Sequence, residues 1–474
     1  MPPEILIDIA ILGAGSAGLY ALREVRRVGR SFVMIDPGPL GTTCARVGCM
    51  PSKVALHAGA EWATRKALSQ IGVRGTEGLS IDLSVTWAWL REQRDSFSNN
   101  ATGKARTAAG EHLIEGSARF LEPTLLEVNT PTGVQHIRAK KVIIATGSRP
   151  VVPAWLAPVQ DRTVTTDALF ELATLPARIG ILGLGAIGLE MGLALSRLGV
   201  QVIGADLAPQ VGGISDPVLG ERASARFGRE MDLWLGVETH LERTETGVRL
   251  RAGDREAEVD LLLAALGRRP NTDGLNLQDA GFPLDARGTP RFDPATMQVG
   301  ELPVFIAGDA NADRPLMHEA SDEGAIAGYN AARDTPTRFA RKVSLGIAFS
   351  NPDIASVGTR FDALPLKGVV IGTAGGDKNG RARIMGATDS MLRVYADASD
   401  GRLLGASMVA VGGEHLAHLL AWSIQRGETA AQLLQLPFYH PVIEEMLQTA
   451  LQDIVSQLPI RGPYPLGLAL EESA

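Results

Sequence analysis

The chain has 474 residues, 45% hydrophobic and 21% charged, with a formal net charge of -7. That length suggests about three domains, each long enough to bury a core. The acidic balance, without a basic stripe, argues against a nucleic-acid partner, and no run of about 18 apolar residues suggests insertion in a membrane.

Residues 1–8 carry acids and no basic region, so they do not read as a secretory signal; the cytoplasm is the expected location. The apolar run 5–12 reads as a buried strand and meets Gly13-Ala14-Gly15-Ser16-Ala17-Gly18. Residues 19–28 read as a helix, and 32–35 as a strand ending in Asp36, 23 residues past the first glycine. In such a turn the first glycine permits the tight bend and the second lets backbone approach a pyrophosphate. The third lets helix and strand pack closely. The helix N-terminus offers free N–H groups to the phosphates, and the acid can hold ribose hydroxyls.

Cys44 and Cys49 are the only cysteines. A lone close pair in a chain of this size points to redox chemistry or metal, with His57 the one obvious further ligand nearby. A regular helix sets residues five apart about 140° around its axis, so a bridge needs a distorted segment. Gly48 and Pro51 suit that distortion. Residues 52–60 read as a helix with the pair at its start, where the dipole lowers a thiol pKa.

The glycine phrase returns. A strand at 179–182 meets Gly183-Leu184-Gly185-Ala186-Ile187-Gly188, then a helix to Leu198, then 202–205 ending in Asp206. Gly13 and Gly183 lie 170 residues apart, and so do Asp36 and Asp206. One such fingerprint is weak; two in register predict two dinucleotide-binding units. Asp206, followed by Leu207-Ala208-Pro209 with no Arg, favours NAD over NADP, because a carboxylate repels a 2′-phosphate. Each unit closes on an apolar strand punctuated by Gly and Pro, through Thr146-Gly147-Ser148-Arg149-Pro150 and Gly267-Arg268-Arg269-Pro270. A strand at 304–307 runs into Gly308-Asp309. From about Lys342 the fingerprints stop, and β-like runs at 392–395 and 407–411 with helices at 414–425 and 443–457 read as a separate α+β domain.

The segment Gly41-Thr42-Thr43-Cys44-Ala45-Arg46-Val47-Gly48-Cys49-Met50-Pro51-Ser52-Lys53 resembles the redox-active segment of the flavin disulfide reductases, the class I pyridine nucleotide-disulfide oxidoreductases. Its Pro-Ser-Lys ending is most similar to the dihydrolipoamide dehydrogenase branch. Ala145-Thr146-Gly147, Gly308-Asp309 and His440-Pro441-Val442-Ile443-Glu444-Glu445 extend the resemblance over essentially the whole chain.

The resemblance implies an α/β fold with two Rossmann-like dinucleotide-binding domains plus a C-terminal α+β dimerisation domain. The expected ranges are 1–150 and 271–340 for FAD, 151–270 for NAD and 341–474 for dimerisation. FAD would lie on Gly13, Gly15 and Gly18, with Asp36 on its adenosine ribose, Asp309 on its ribityl chain, and Thr43, Thr146, Gly147 and Gly308 around it. NAD would lie on Gly183, Gly185 and Gly188, with Asp206 on its ribose and Gly267 close by. Cys49 would be the charge-transfer thiolate beside the flavin and Cys44 the thiol that meets substrate. Lys53 would pair with Glu190 near the flavin. His440, oriented by Glu445, would be the acid/base that serves the partner's cysteines across a homodimer interface. No metal is expected.

The implied activity is NAD-linked oxidation of a dihydrolipoyl group on a carrier protein. The alternatives are reduction of another disulfide or of a metal ion, in the manner of glutathione or mercuric reductase, and a non-catalytic flavin-bound scaffold. The mercuric branch carries an extra C-terminal cysteine pair, and residues 457–474 have none. Retention of the cysteines, Lys53, His440 and Glu445 argues against a scaffold. The chain departs from the family at Thr42, where a second glycine is usual, at Arg46, where the lipoamide branch has Asn, and at Val442 and Glu444, where Thr and Ser are usual. These departures bear on the substrate more than on the chemistry.

Overall fold

The computed structural model describes residues 4–365, 367–459 and 465–470; residues 1–3 and much of the tail 457–474 discussed above lie outside them. The first apolar run forms the strand Glu4–Leu12 inside a seven-stranded sheet, flanked in parallel by Phe32–Asp36 and Gly133–Ile144. Successive side chains go to opposite faces of a strand, and both faces are covered. Ile9 and Ile11 pack with the helices Ser16–Arg27 and Met317–Ala331, while Ala10 and Leu12 pack with Phe120, Val128 and Phe282. The later strand Val304–Ile306 joins the same sheet beside Gly133–Ile144.

The second sheet is parallel, in the order Asp232–Leu235, Gln201–Asp206, Arg178–Leu182, Leu261–Ala264, Thr163–Val164. The internal repeat extends to register: Ile9 pairs with Phe32, and Ile179 pairs with Val202. A three-stranded antiparallel sheet over His240–Arg243, Val248–Ala252 and Arg255–Val259 has no counterpart in the sequence reading. Its Val248 and Leu250 pack with Leu182 and Trp234 of the parallel sheet.

A five-stranded antiparallel sheet follows, in the order Leu345–Ala348, Asp353–Gly358, Leu403–Ala410, Met391–Asp397, Val369–Gly375. Leu392, Val394 and Met408 meet Leu416, Leu420, Leu447 and Leu451 in one core. The helices expected at 414–425 and 443–457 are Gly413–Arg426 and Glu445–Gln457. The second starts at Glu445, whose own carboxylate accepts the Val442 N–H at 3.1 Å.

The helix expected at 52–60 is longer, Cys49–Leu68, with Cys49 as its first residue. Cys44 lies in a separate short helix, Thr43–Arg46. The break at Val47-Gly48 is the distortion that the five-residue spacing demands. A Cβ on Gly48 would lie 3.0 Å from the Thr43 carbonyl oxygen, so a side chain there would press the two pieces apart by a few tenths of an ångström. The 27-residue helix Leu83–Ala109 was not read from the sequence; Asp82 caps it by accepting the Ser84 and Val85 N–H groups at 2.9 and 3.1 Å. No described helix is long and apolar enough to cross a membrane.

Candidate active site

One cleft, with a cavity volume of about 270 Å³, is lined by Gly15 and Ser16 of the first glycine turn, by Cys44, Cys49 and Lys53, by Gly147, and by Gly308 and Asp309. Thr43 lines it too, as do Ile187 and Glu190 from the helix that follows the second glycine turn. Segments far apart in sequence therefore converge on the two thiols.

The two glycine turns use their residues alike. A Cβ on Gly13 would lie 2.2 Å from the Ala145 carbonyl oxygen, and one on Gly18 would lie 2.0 Å from that of Gly13. At Gly183 and Gly188 the corresponding distances are 2.5 Å to the Ala265 oxygen and 1.9 Å to the Gly183 oxygen. The first and third glycines are thus required by the protein's own packing. A Cβ on Gly15 or Gly185 would meet no atom within 4 Å, which leaves each second glycine as a cradle of the shape a pyrophosphate needs.

Asp36 accepts the Ala14 and Gly38 N–H groups at 2.7 Å each. Asp206 does the same to Leu184 and Ala208, at 2.6 and 2.8 Å. Each acid closes its own turn, a role the sequence reading did not assign. A carboxylate has about four lone-pair sites, so ribose hydroxyls can still be accepted. The Thr146 hydroxyl is buried without a hydrogen-bond partner among the described residues. Gly147 and Gly267 both adopt positive φ, +68° and +93°. These features fit two dinucleotides.

Both cysteines are reduced. The Cys44 thiol donates to the Cys49 sulfur, which pulls Cys49 down to about 7, helped by the nearby Lys53 charge. The same hydrogen bond, with burial, pushes Cys44 up. The hydrogen bond and the Lys53 charge both favour the thiolate on Cys49. Lys53 Nζ donates to both oxygens of Glu190 at 2.7 and 2.9 Å, and lies 4.7 Å from the ring centre of Phe349. Glu190 is buried and also accepts the Phe349 N–H at 2.9 Å. Thr42 sits at φ +59°, ψ 147°, a strained region for a β-branched residue, and caps the Cys44 helix by accepting the Ala45 N–H at 3.1 Å.

His440 is not in this cleft. Its side chain is 79% exposed, and Nδ1 lies 2.9 Å from the Glu445 carboxylate. The hydrogen bond to His440 holds the Glu445 carboxyl below the usual range. Among the described residues no cluster of three or more His, Cys, Asp or Glu could hold a metal, His57 with the two cysteines included.

Sequence reading missed the supports of Asp309. Ser148 Oγ donates to Asp309 at 2.6 Å, and Arg268 Nε donates to Ser148 Oγ at 2.8 Å. Arg268 also lines the cleft, from the strand that closes the second unit. Both residues lie in the Gly-Ser-Arg-Pro and Gly-Arg-Arg-Pro closings, which were read only as punctuation.

Residues 7–324 match the family described as pyridine nucleotide-disulphide oxidoreductase, and residues 345–451 match that family's dimerisation domain, which supports a homodimer. A dihydrolipoyl dehydrogenase of Haloferax volcanii is 29% identical over 95% of this chain and 96% of its own length. One of Bacillus subtilis is 25% identical over 94% and 95%. Among solved structures, LpdA of Mycobacterium tuberculosis superposes with a TM-score of 0.82 at 22% identity, covering 94% of this chain and 99% of that one. The flavoprotein disulfide reductase RclA of Escherichia coli gives 0.80 at 22% identity over the same shares. The chain therefore belongs to the pyridine nucleotide-disulphide oxidoreductases, flavin disulfide oxidoreductases of the lipoamide dehydrogenase type, whose cofactors are FAD and NAD.

Proposed function

We propose that this protein oxidises a dihydrolipoyl dithiol carried on another protein and delivers the electron pair to NAD. FAD would be held by the unit formed by residues 1–150 and 271–340 and NAD by 151–270, with residues 341–474 pairing two subunits. The observation that carries this reading is the convergence on one cleft of Cys44, Cys49, Lys53 and Glu190 with the first glycine turn and the Gly308–Asp309 turn. Lys53, held by Glu190 at 2.7 Å, stands where its charge favours the thiolate that oxidation of a dithiol leaves on Cys49.

A substrate thiolate attacks the Cys44 sulfur of the Cys44–Cys49 disulfide. The bond between the cysteines breaks, a mixed disulfide forms on Cys44, and Cys49 leaves as thiolate. The second substrate thiol then loses its proton to His440 of the other subunit and attacks its own sulfur in the mixed disulfide. The cyclic disulfide departs, and Cys44 takes the proton back from His440. Lys53, fixed by Glu190, keeps the negative charge on Cys49 beside the cleft. FAD held by the first glycine turn and the Gly308–Asp309 turn would supply the two-electron chemistry that links the cysteines to NAD. Asp206 at the second turn suits a ribose with a free 2′-hydroxyl, hence NAD rather than NADP.

The test is NADH formation, followed by absorbance, from dihydrolipoamide and NAD, with Cys44→Ser as control. Turnover that the variant loses is expected. A FAD-loaded dimer that forms no NADH would reject free dihydrolipoamide as substrate.

A further inference from the structure

Glu323 has no solvent exposure, and the reaction above does not use it. It stands on the helix Met317–Ala331. Its Oε2 accepts from the Gly308 N–H and from Asn311 Nδ2, both at 2.7 Å. Its Oε1 accepts from Arg341 Nη2 at 2.6 Å. Arg341 lies just before the strand Leu345–Ala348 and also donates to Glu319 at 2.7 Å. Arg314 completes the group, donating to Glu319 at 3.0 Å and to the Lys342 carbonyl at 3.2 Å.

The turn that Glu323 holds is the one that brings Asp309 into the cleft. Gly308 has φ +69°, and a Cβ on it would lie 3.0 Å from the Ala17 Cβ and 3.3 Å from the Ala320 Cβ. Two helices therefore confine the turn, and Glu323 holds its Gly308 N–H. A glutamine could not replace the carboxylate fully. It offers one acceptor oxygen, and its NH2 would oppose the Arg341 cation. Desolvation raises the Glu323 carboxyl above its usual value, and the Arg341 charge opposes that rise.

We propose that Glu323 is a positioning residue for the flavin: it fixes the Gly308–Asp309 turn and, through Arg341, fastens that turn to the segment leading into the C-terminal domain. This rests on the reading that the cleft holds FAD.

The experiment compares Glu323→Gln with Glu319→Gln. Glu319 is 2% exposed and shares Arg341, but makes no bond to the turn, so it controls for loss of a buried charge pair. FAD dissociation constants of the apo-proteins come from quenching of flavin fluorescence, and their thermal unfolding is measured in parallel. Glu323→Gln is expected to weaken FAD binding by roughly 10- to 100-fold relative to Glu319→Gln, the range that loss of charged hydrogen bonds predicts. Equal FAD affinities, or a loss of thermal stability alone, would overturn the proposal. If Glu323→Gln does not fold, the double variant Glu323→Gln/Arg341→Met removes both charges, and wild-type FAD affinity in it rejects the idea. A wild-type chain that takes up no FAD would sink the cofactor reading as well, whereas normal wild-type uptake with equal variants sinks this proposal alone.

Discussion

Cys49 and Lys53 lie one helical turn apart, and the lysine is held by Glu190 rather than left to solvent. Its charge therefore acts on the thiol from a fixed position, partly offset by the Glu190 carboxylate. In the reduced protein, alkylation of Cys49 by iodoacetamide, read by mass spectrometry of its peptide, should rise with pH around a midpoint of about 7. Lys53→Met should move that midpoint up, toward the free-thiol value of about 8.5. An unchanged midpoint would show that the Cys44 hydrogen bond acts alone. Thr42 is the other unusual residue here, since a β-branched side chain at positive φ costs roughly 1–3 kcal/mol. Thr42→Ala keeps the strain and loses the cap, while Thr42→Gly loses the cap but relieves the strain. The alanine variant should be the less stable of the two by about 1 kcal/mol in denaturant unfolding.

At the level of elements, the glycine turns separate folding from binding. Gly18 is pressed against the Gly13 carbonyl, so Gly18→Ala forces strand and helix apart and should cost about 1–3 kcal/mol of stability. Gly15 faces open space and has an ordinary extended backbone, so Gly15→Ala should leave apo-protein unfolding nearly unchanged yet lower FAD retention on gel filtration. Loss of both properties together in Gly15→Ala would contradict the cradle. The helices Ser16–Arg27 and Met317–Ala331 show the same economy of small residues. A Cβ on Gly324 would fall 2.2 Å from the Ala17 oxygen, and one on Gly328 would fall 2.4 Å from that of Ala21.

For the whole molecule, the separation of His440 from the thiols is the main fact. One chain holds the cysteines in a cleft and its histidine–glutamate pair on an exposed surface of the C-terminal domain. If the active site forms between subunits, mixing and refolding equal amounts of Cys44→Ser and His440→Gln should restore about a quarter of wild-type activity, since half the dimers are mixed and each carries one intact site. No recovery, with mixed dimers demonstrated by differential tags, would place the base within one chain. Domain position is fastened elsewhere by a buried group: Asp216, fully buried, caps the helix Pro217–Phe227 and accepts Arg393 Nη1 at 2.5 Å and the Tyr395 hydroxyl at 2.7 Å. It joins the second unit to the C-terminal sheet.

Strand, glycine turn, helix, strand and acid all lie within a few dozen residues. Spacing alone therefore fixes their geometry, and the 170-residue repeat carries it twice, down to matching hydrogen bonds accepted by Asp36 and Asp206. The five-residue cysteine spacing likewise implied a break, and Gly48 supplies it. No spacing rule links Lys53 to Glu190, 137 residues on, and only resemblance pointed to that pair. Nothing in the chain marked Glu323 or Arg341, and the closings that hold Ser148 and Arg268 gave no hint of their hydrogen bonds, because each acts through partners brought near by packing. The tertiary fold decided those contacts, since a buried charge must find its donors wherever the chain places them.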